Sequence, residues 1–124
     1  LLKLGRTSEV REELFRLDYQ YPNDMNVKRI LAWAMLTDKS LDKAAQLYES
    51  LLSTSPANED YLNAGYCQWA KGDMKRAVEL FREWMRKSGN DTEQLLDEFR
   101  NDTDTLKKYG ISETDCYLML SLVG

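Results

Sequence analysis

Apolar residues recur along this chain with the spacing of a helix rather than of a strand. From Leu41, the apolar positions Ala44, Ala45, Tyr48, Leu51 and Leu52 follow at offsets of 3, 4, 7, 10 and 11, which is one face of an α-helix. Met74 opens the same series 33 residues later, with Ala77, Val78, Phe81, Trp84 and Met85 in the matching places. A shift of 34 towards the start sets Pro56 on Pro22, Ala44 on Val10, Tyr48 on Leu14 and Leu51 on Leu17. The period recurs about two and a half times, and recurrence at this length marks a helical repeat.

Each period divides into two helices at readable breaks. Asn58 is placed to cap a helix from Glu59 to Lys71, Gly72 permits the left-handed turn that ends it, and Asp73 caps a second helix from Met74 to about Lys87, which stops at Ser88-Gly89. In the earlier period Asn23 opens a helix through Leu36, Thr37 to Ser40 form the turn, and Ser40 caps Leu41 to Ser53. Leu1 to Gly5 corresponds in this register to the end of a first helix and its turn, and Arg6 to about Gln20 to a second helix. The chain therefore starts in mid-repeat, and a repeat that buries its faces only against neighbours leads to the expectation of a segment from a longer protein.

These residues resemble the tetratricopeptide repeat. In 57–89 the matching elements are Tyr61 at the tryptophan-like position, the Ala64-Gly65 pair, the Gly72-Asp73 turn, and Ala77, Phe81 and Trp84 in the second helix. In 23–56 they are Leu31-Ala32, Met35, Ala44, Tyr48, Leu51 and the closing Pro56. Lys28 at the tryptophan-like position, Lys39 at the turn glycine and Trp84 in place of an alanine depart from the pattern. The resemblance implies an all-α fold: a right-handed α-α superhelix of helix hairpins, with 1–22 as the second half of a truncated repeat, 23–56 and 57–89 as full repeats, and 90–124 as a non-repeat pair of capping helices in one domain.

The non-repeat end has its own signals. Asp91 to about Tyr109 reads as one helix with Leu95, Leu96, Phe99 and Leu106 on one side, ended by Gly110. Ser112 then stands as N-cap with Asp115 three residues on, and Ile111 is placed to touch Cys116 as a staple. In the last helix Tyr117, Leu118, Met119, Leu120, Leu122 and Val123 point all round the axis, so burial on more than one side is expected. One reading packs it on the preceding helix and the Trp84-Met85 side of the last repeat. Another places it in the groove of its own or a second copy, giving a homodimer through Tyr117, Leu118, Leu120 and Leu122.

The resemblance further implies a concave groove that takes a peptide or helix of another polypeptide. By register the residues facing it are Asn26, Arg29, Trp33 and Thr37 from one repeat and Glu59, Leu62, Tyr66, Trp69 and Ala70 from the next. Tryptophan, tyrosine and arginine are frequent interface anchors, yet aromatics at helical spacing also form cores, and both readings stand at this point. Only Arg29 and Asn63 fall near the positions by which some members of that family grip a terminal carboxylate, so no such clamp is expected.

Composition narrows the function classes. The chain has 43% apolar and 31% charged residues, two prolines and a net charge of −4, a balance for an ordered helical protein and a poor one for gripping phosphates. Nucleic acid is not an expected partner, and no apolar run approaches the roughly 20 residues of a membrane span. With no histidine, serine–histidine and cysteine–histidine arrangements and the usual zinc sites are excluded. Cys67 and Cys116 lie far apart and read as small core residues. Carboxylate pairs such as Glu12-Glu13 and Asp102/Asp104 sit in charged stretches that solvated helix faces explain. The expectation is a non-catalytic scaffold without metal or cofactor, its compartment open. The alternative is a structural or self-associating segment whose groove is filled by its own C-terminal helix.

Overall fold

The computed structural model describes residues 7–21, 23–38, 40–54, 56–89 and 91–124, with side chains described from residue 12 onwards. Among the described residues every regular element is a helix: α1 (Thr7–Gln20), α2 (Met25–Thr37), α3 (Leu41–Thr54), α4 (Asn58–Lys71), α5 (Met74–Ser88), α6 (Thr92–Asn101), α7 (Thr103–Lys108) and α8 (Glu113–Val123). The expected features at Leu1 to Gly5, Pro22 and Lys39 lie outside the described residues. The chain divides into two compact units, Leu1–Pro56 and Ala57–Gly124.

In the first unit α2 packs on both α1 and α3. The cap of α2 is Asp24 rather than Asn23: its carboxylate accepts the backbone N–H groups of Asn26 and Val27 at 3.0 and 3.3 Å, and the helix starts two residues later than the sequence suggests. Leu31, Ala32 and Met35 of α2 and Ala44, Tyr48 and Leu51 of α3 are buried, as their spacing predicts. Lys28, which departs from the repeat pattern, donates from Nζ to Asp18 Oδ1 on α1 at 2.8 Å, with both side chains about four-fifths covered. A largely covered ion pair thus ties α2 to α1.

In the second unit α4 and α5 are joined by Gly72 and Asp73 alone. Gly72 takes φ of 90°, its N–H and that of Asp73 return to the carbonyls of Trp69 and Gln68, and the Asp73 carboxylate accepts from Arg76 N at 3.1 Å. Those bonds satisfy the end of one helix and the start of the next within two residues. The pair is antiparallel, because Gly65 faces Phe81 and the Lys87 ammonium stands 5.9 Å from the Tyr61 ring centre on either side of that turn. A Cβ at Gly65 would lie 2.5 Å from Phe81 Cε1, so the smallest residue is what allows the two helices to approach. The start of α4 is one residue earlier than expected: Ala57 is the cap, and the fully buried Asp60 carboxylate reaches back to its N–H at 2.8 Å.

The remainder of this unit folds back on that hairpin, α6 and α8 packing on α5 and on each other. The single helix expected over Asp91 to Tyr109 is broken at Asp102 (φ −103°, ψ 20°) into α6 and α7. After α7, Gly110 at φ 77° lets Ile111 N–H bond Leu106 O, and both Leu106 and Ile111 are buried while the turn between them stays at the surface. Ser112 and Asp115 exchange a reciprocal pair at the start of α8: Ser112 N–H donates to Asp115 Oδ2 at 2.9 Å and Asp115 N–H to Ser112 Oγ at 3.2 Å.

Candidate partner-binding surfaces

Three surfaces follow from these elements. On α2, residues three and four apart share one face, which brings Asn26, Arg29, Trp33 and Thr37 into line. Asn26 is exposed and the other three are half-buried. Arg29 donates to Asn26 Oδ1 at 3.1 Å, and the Thr37 hydroxyl turns back to Ala34 O at 3.1 Å. Between them stands Ile30, 57% exposed, which the repeat register did not single out. Its signal was nonetheless present, since it lies four residues after Asn26 and three before Trp33 on the same stripe.

The matching stripe on α4 behaves differently. Glu59 is exposed, but Leu62, Tyr66 and Trp69 are buried, Tyr66 completely. The expectation of an open aromatic groove therefore fails at these three residues. Tyr66 and Trp69 pack with Phe81 of α5 and Phe99 of α6 in a cluster whose ring centres are 5.3 to 6.1 Å apart, edge-on or tilted. The Tyr66 hydroxyl donates to Asp102 Oδ2 at 2.6 Å. Burial, and then the carboxylate it faces, push the Tyr66 phenol far above its usual range. Large aromatic faces left wet on α4 would forgo the stabilisation of burial, and Phe99 of α6 packs against both rings. Cys116 of α8 also lies near Tyr66.

The last helix is likewise not buried on more than one side. α8 buries Cys116, Met119 and Val123 along a single stripe, leaves Leu120 half-buried, and exposes Tyr117, Leu118 and Leu122 by 46, 58 and 51%. Its C-terminal carbonyls are held from α5: Arg82 Nε donates to Val123 O at 3.1 Å and Nη2 to Leu122 O at 3.0 Å. The packing on α5 and α6 follows one of the two expected arrangements.

At the junction of α6, α7 and α8 lies a cleft of about 220 Å³ with Leu96, Phe99, Leu106, Ile111 and Cys116 among its lining. Arg100, Lys107 and Glu113 also border it. The Cys116 thiol is free, and burial followed by the neighbouring Asp115 and Glu113 carboxylates raises its pKa, which disfavours the nucleophilic thiolate. Cys67 is fully buried as well. Among the described residues no group of three or more acidic or cysteine side chains is arranged to hold a metal ion, and no helix is long and apolar enough to cross a membrane. Compared with models of protein families, with curated proteins and with solved structures, the chain matches none.

Proposed function

We propose that this chain is a non-catalytic scaffold of the tetratricopeptide type, its hairpins belonging to a right-handed superhelix, and that it binds a peptide or helix of another polypeptide through the outer face of α2. The observation that carries the proposal is the accessibility of that face: Ile30 is 57% exposed, beside half-buried Trp33 and Arg29. An apolar residue flanked by tryptophan and arginine has the composition of an interface centre. From Asn26 to Thr37 the stripe is about 16 Å long, which suits a short peptide or three turns of a helix. The close approach of Gly65 to Phe81 and the two-residue turn at Gly72 support the repeat architecture.

A second reading is favoured by the burial of Tyr66 and Trp69. In it the segment is structural, its aromatic side consumed by its own C-terminal helices, and any partner surface belongs to the rest of the parent protein. Peptides selected from a displayed library of amphipathic sequences separate the two. If α2 is the binding face, Ile30→Asp and Trp33→Ala each weaken a selected peptide about tenfold or more, as expected for central anchor residues, while Leu118→Asp leaves affinity unchanged. Selected peptides that bind both α2 variants as tightly as the parent chain would rule this face out.

A further inference from the structure

The cleft between α6, α7 and α8 has a chemistry that the scaffold reading of α2 does not use. Its volume of about 220 Å³ falls below the roughly 300–1,000 Å³ of sites that enclose a whole small-molecule ligand, so it accommodates one side chain better than a cofactor. The break at Asp102 shapes it: Phe99 and Arg100 line it from before the break, and Leu106 and Lys107 from after it. Leu96, Phe99, Leu106, Ile111 and Cys116 make the lining apolar, while Arg100 and Lys107 supply two cations from the α6–α7 side and Glu113 one anion from α8.

At the mouth of this apolar cleft the two cations outnumber the single anion, although the chain as a whole has a net charge of −4. Arg100 meets the Tyr117 hydroxyl at 3.4 Å and Asp97 at 4.0 Å, both long contacts, and its side chain is 61% exposed. Glu113 across the cleft also acts on Arg100 through its charge, yet a guanidinium carries five N–H donors in a fixed fork suited to a carboxylate, so these contacts leave it with donors to offer. Tyr117, 46% exposed, stands beside it and extends the apolar surface outwards. We infer that this cleft binds a peptide segment in which a large apolar side chain enters between Phe99, Leu106 and Ile111 while an adjacent acidic residue pairs with Arg100 and Lys107. Glu113 sets the direction, since it repels an acid placed on the α8 side. A second copy of the chain is a poorer occupant, because it would bring another net charge of −4 to the same place.

The test uses the full chain and three probes: acetyl-Glu-Phe-Glu-amide, the same peptide with lysines for the glutamates, and phenylacetate. The readout is the NMR methyl signals of Leu96, Leu106 and Ile111. The acidic peptide is expected to shift these signals saturably and to bind roughly fivefold or more tightly than the lysine peptide, the ratio that two exposed ion pairs provide. In the double variant Arg100→Glu, Lys107→Glu the preference reverses; both side chains are exposed, and an unchanged helical circular dichroism spectrum verifies the fold. The proposal is overturned by the absence of saturable shifts, by equal binding of the two peptides, or by a preference that survives the charge reversal. Phenylacetate binding as tightly as the acidic peptide would make the site one for small carboxylates instead. Concentration-dependent shifts of the same methyls without any probe would make it a self-association surface. Because all readouts lie in the second unit, failure here leaves the α2 proposal untouched.

Discussion

The outer faces of α2 and α4 are related by a shift of 33 residues in the sequence, and their aromatic positions meet different fates. On α2, Arg29 and Trp33 stay half-exposed beside exposed Ile30; on α4 the corresponding Leu62 and Tyr66 are core, while Trp69 corresponds to Leu36, which is buried on α2 as well. The difference does not lie in the helices themselves, both of which carry a tryptophan and apolar neighbours. It lies in what packs there: Phe99 of α6 stands against the Tyr66 and Trp69 rings, and Asp102 at the end of α6 takes the Tyr66 hydroxyl. A repeat register thus specifies which side of a helix points outwards from its own hairpin. Whether that side is a surface or an interior depends on what the chain places there next.

The comparison can be broken most severely at Phe99. Replacing it with alanine removes the ring that packs on both Tyr66 and Trp69, and a cavity of that size costs about 3–5 kcal/mol. That is a large share of the roughly 5–15 kcal/mol that stabilises an average domain. Urea unfolding followed by circular dichroism should move to much lower denaturant, and tryptophan emission should shift to the red before global unfolding. A midpoint within error of the parent would mean that α6 does not hold the aromatic cluster shut.

A smaller effect is expected from exchanging the small residues that correspond in the two hairpins, Gly65 and Ala32. Gly65→Ala drives a methyl to 2.5 Å from the buried Phe81 ring. Overpacking costs about 1–3 kcal/mol, of which helix propensity returns about 1. Net destabilisation of up to about 2 kcal/mol follows, with Phe81 held by rings on either side. Ala32→Gly, buried on α2, should also destabilise, by about 1 kcal/mol, through backbone entropy alone. If Gly65→Ala were stabilising, the approach of α4 to α5 would not be set by that residue.

An effect of similar size at neutral pH concerns the hydroxyl that ties α4 to α6. Tyr66→Phe removes a hydrogen bond to a carboxylate and should cost about 1–2 kcal/mol at neutral pH. Its clearer signature is alkaline. The folded pKa of Tyr66 lies above the ordinary 10.0, so the unfolded chain ionises first; stability is intact below about pH 10 and is lost as pH rises beyond it. Tyr109, pushed up to about 12 mainly by burial, contributes in the same direction. Denaturation midpoints measured from pH 8 to pH 12 should therefore fall more steeply for the parent chain than for Tyr66→Phe, in which Tyr109 still contributes. Parallel curves would remove the hydroxyl from the account.

Much of the local structure was legible because it depends on neighbours in sequence. Gly72, Asp73, Gly110, Ser112 and Asp115 each stand where a helix end needs a left-handed residue or a short side-chain acceptor, and the structure uses them so. The starts of α2 and α4 were displaced because more than one nearby residue could serve: Asp24 competes with Asn23, and Asp60 can bond backwards to Ala57 without a side-chain cap. The break at Asp102 carried no sequence signal such as glycine or proline. Its carboxylate faces a tyrosine 36 residues away, a contact no local pattern contains. Ile30 was missed for a different reason, since the register drew attention to tryptophan and arginine and passed over the apolar residue between them.

The sequence by itself determined the all-helical class, the period, most helix ends and the residues that line the interior of each hairpin, because 3.6-residue periodicity and capping are properties of short stretches of chain. Tertiary structure alone decided that α4 turns its aromatics into a core while α2 keeps its own in reach of solvent, and that α8 buries one stripe and shows the other. Burial is a relation between distant segments: an apolar stripe specifies that something should cover it, and only the packed chain specifies what does.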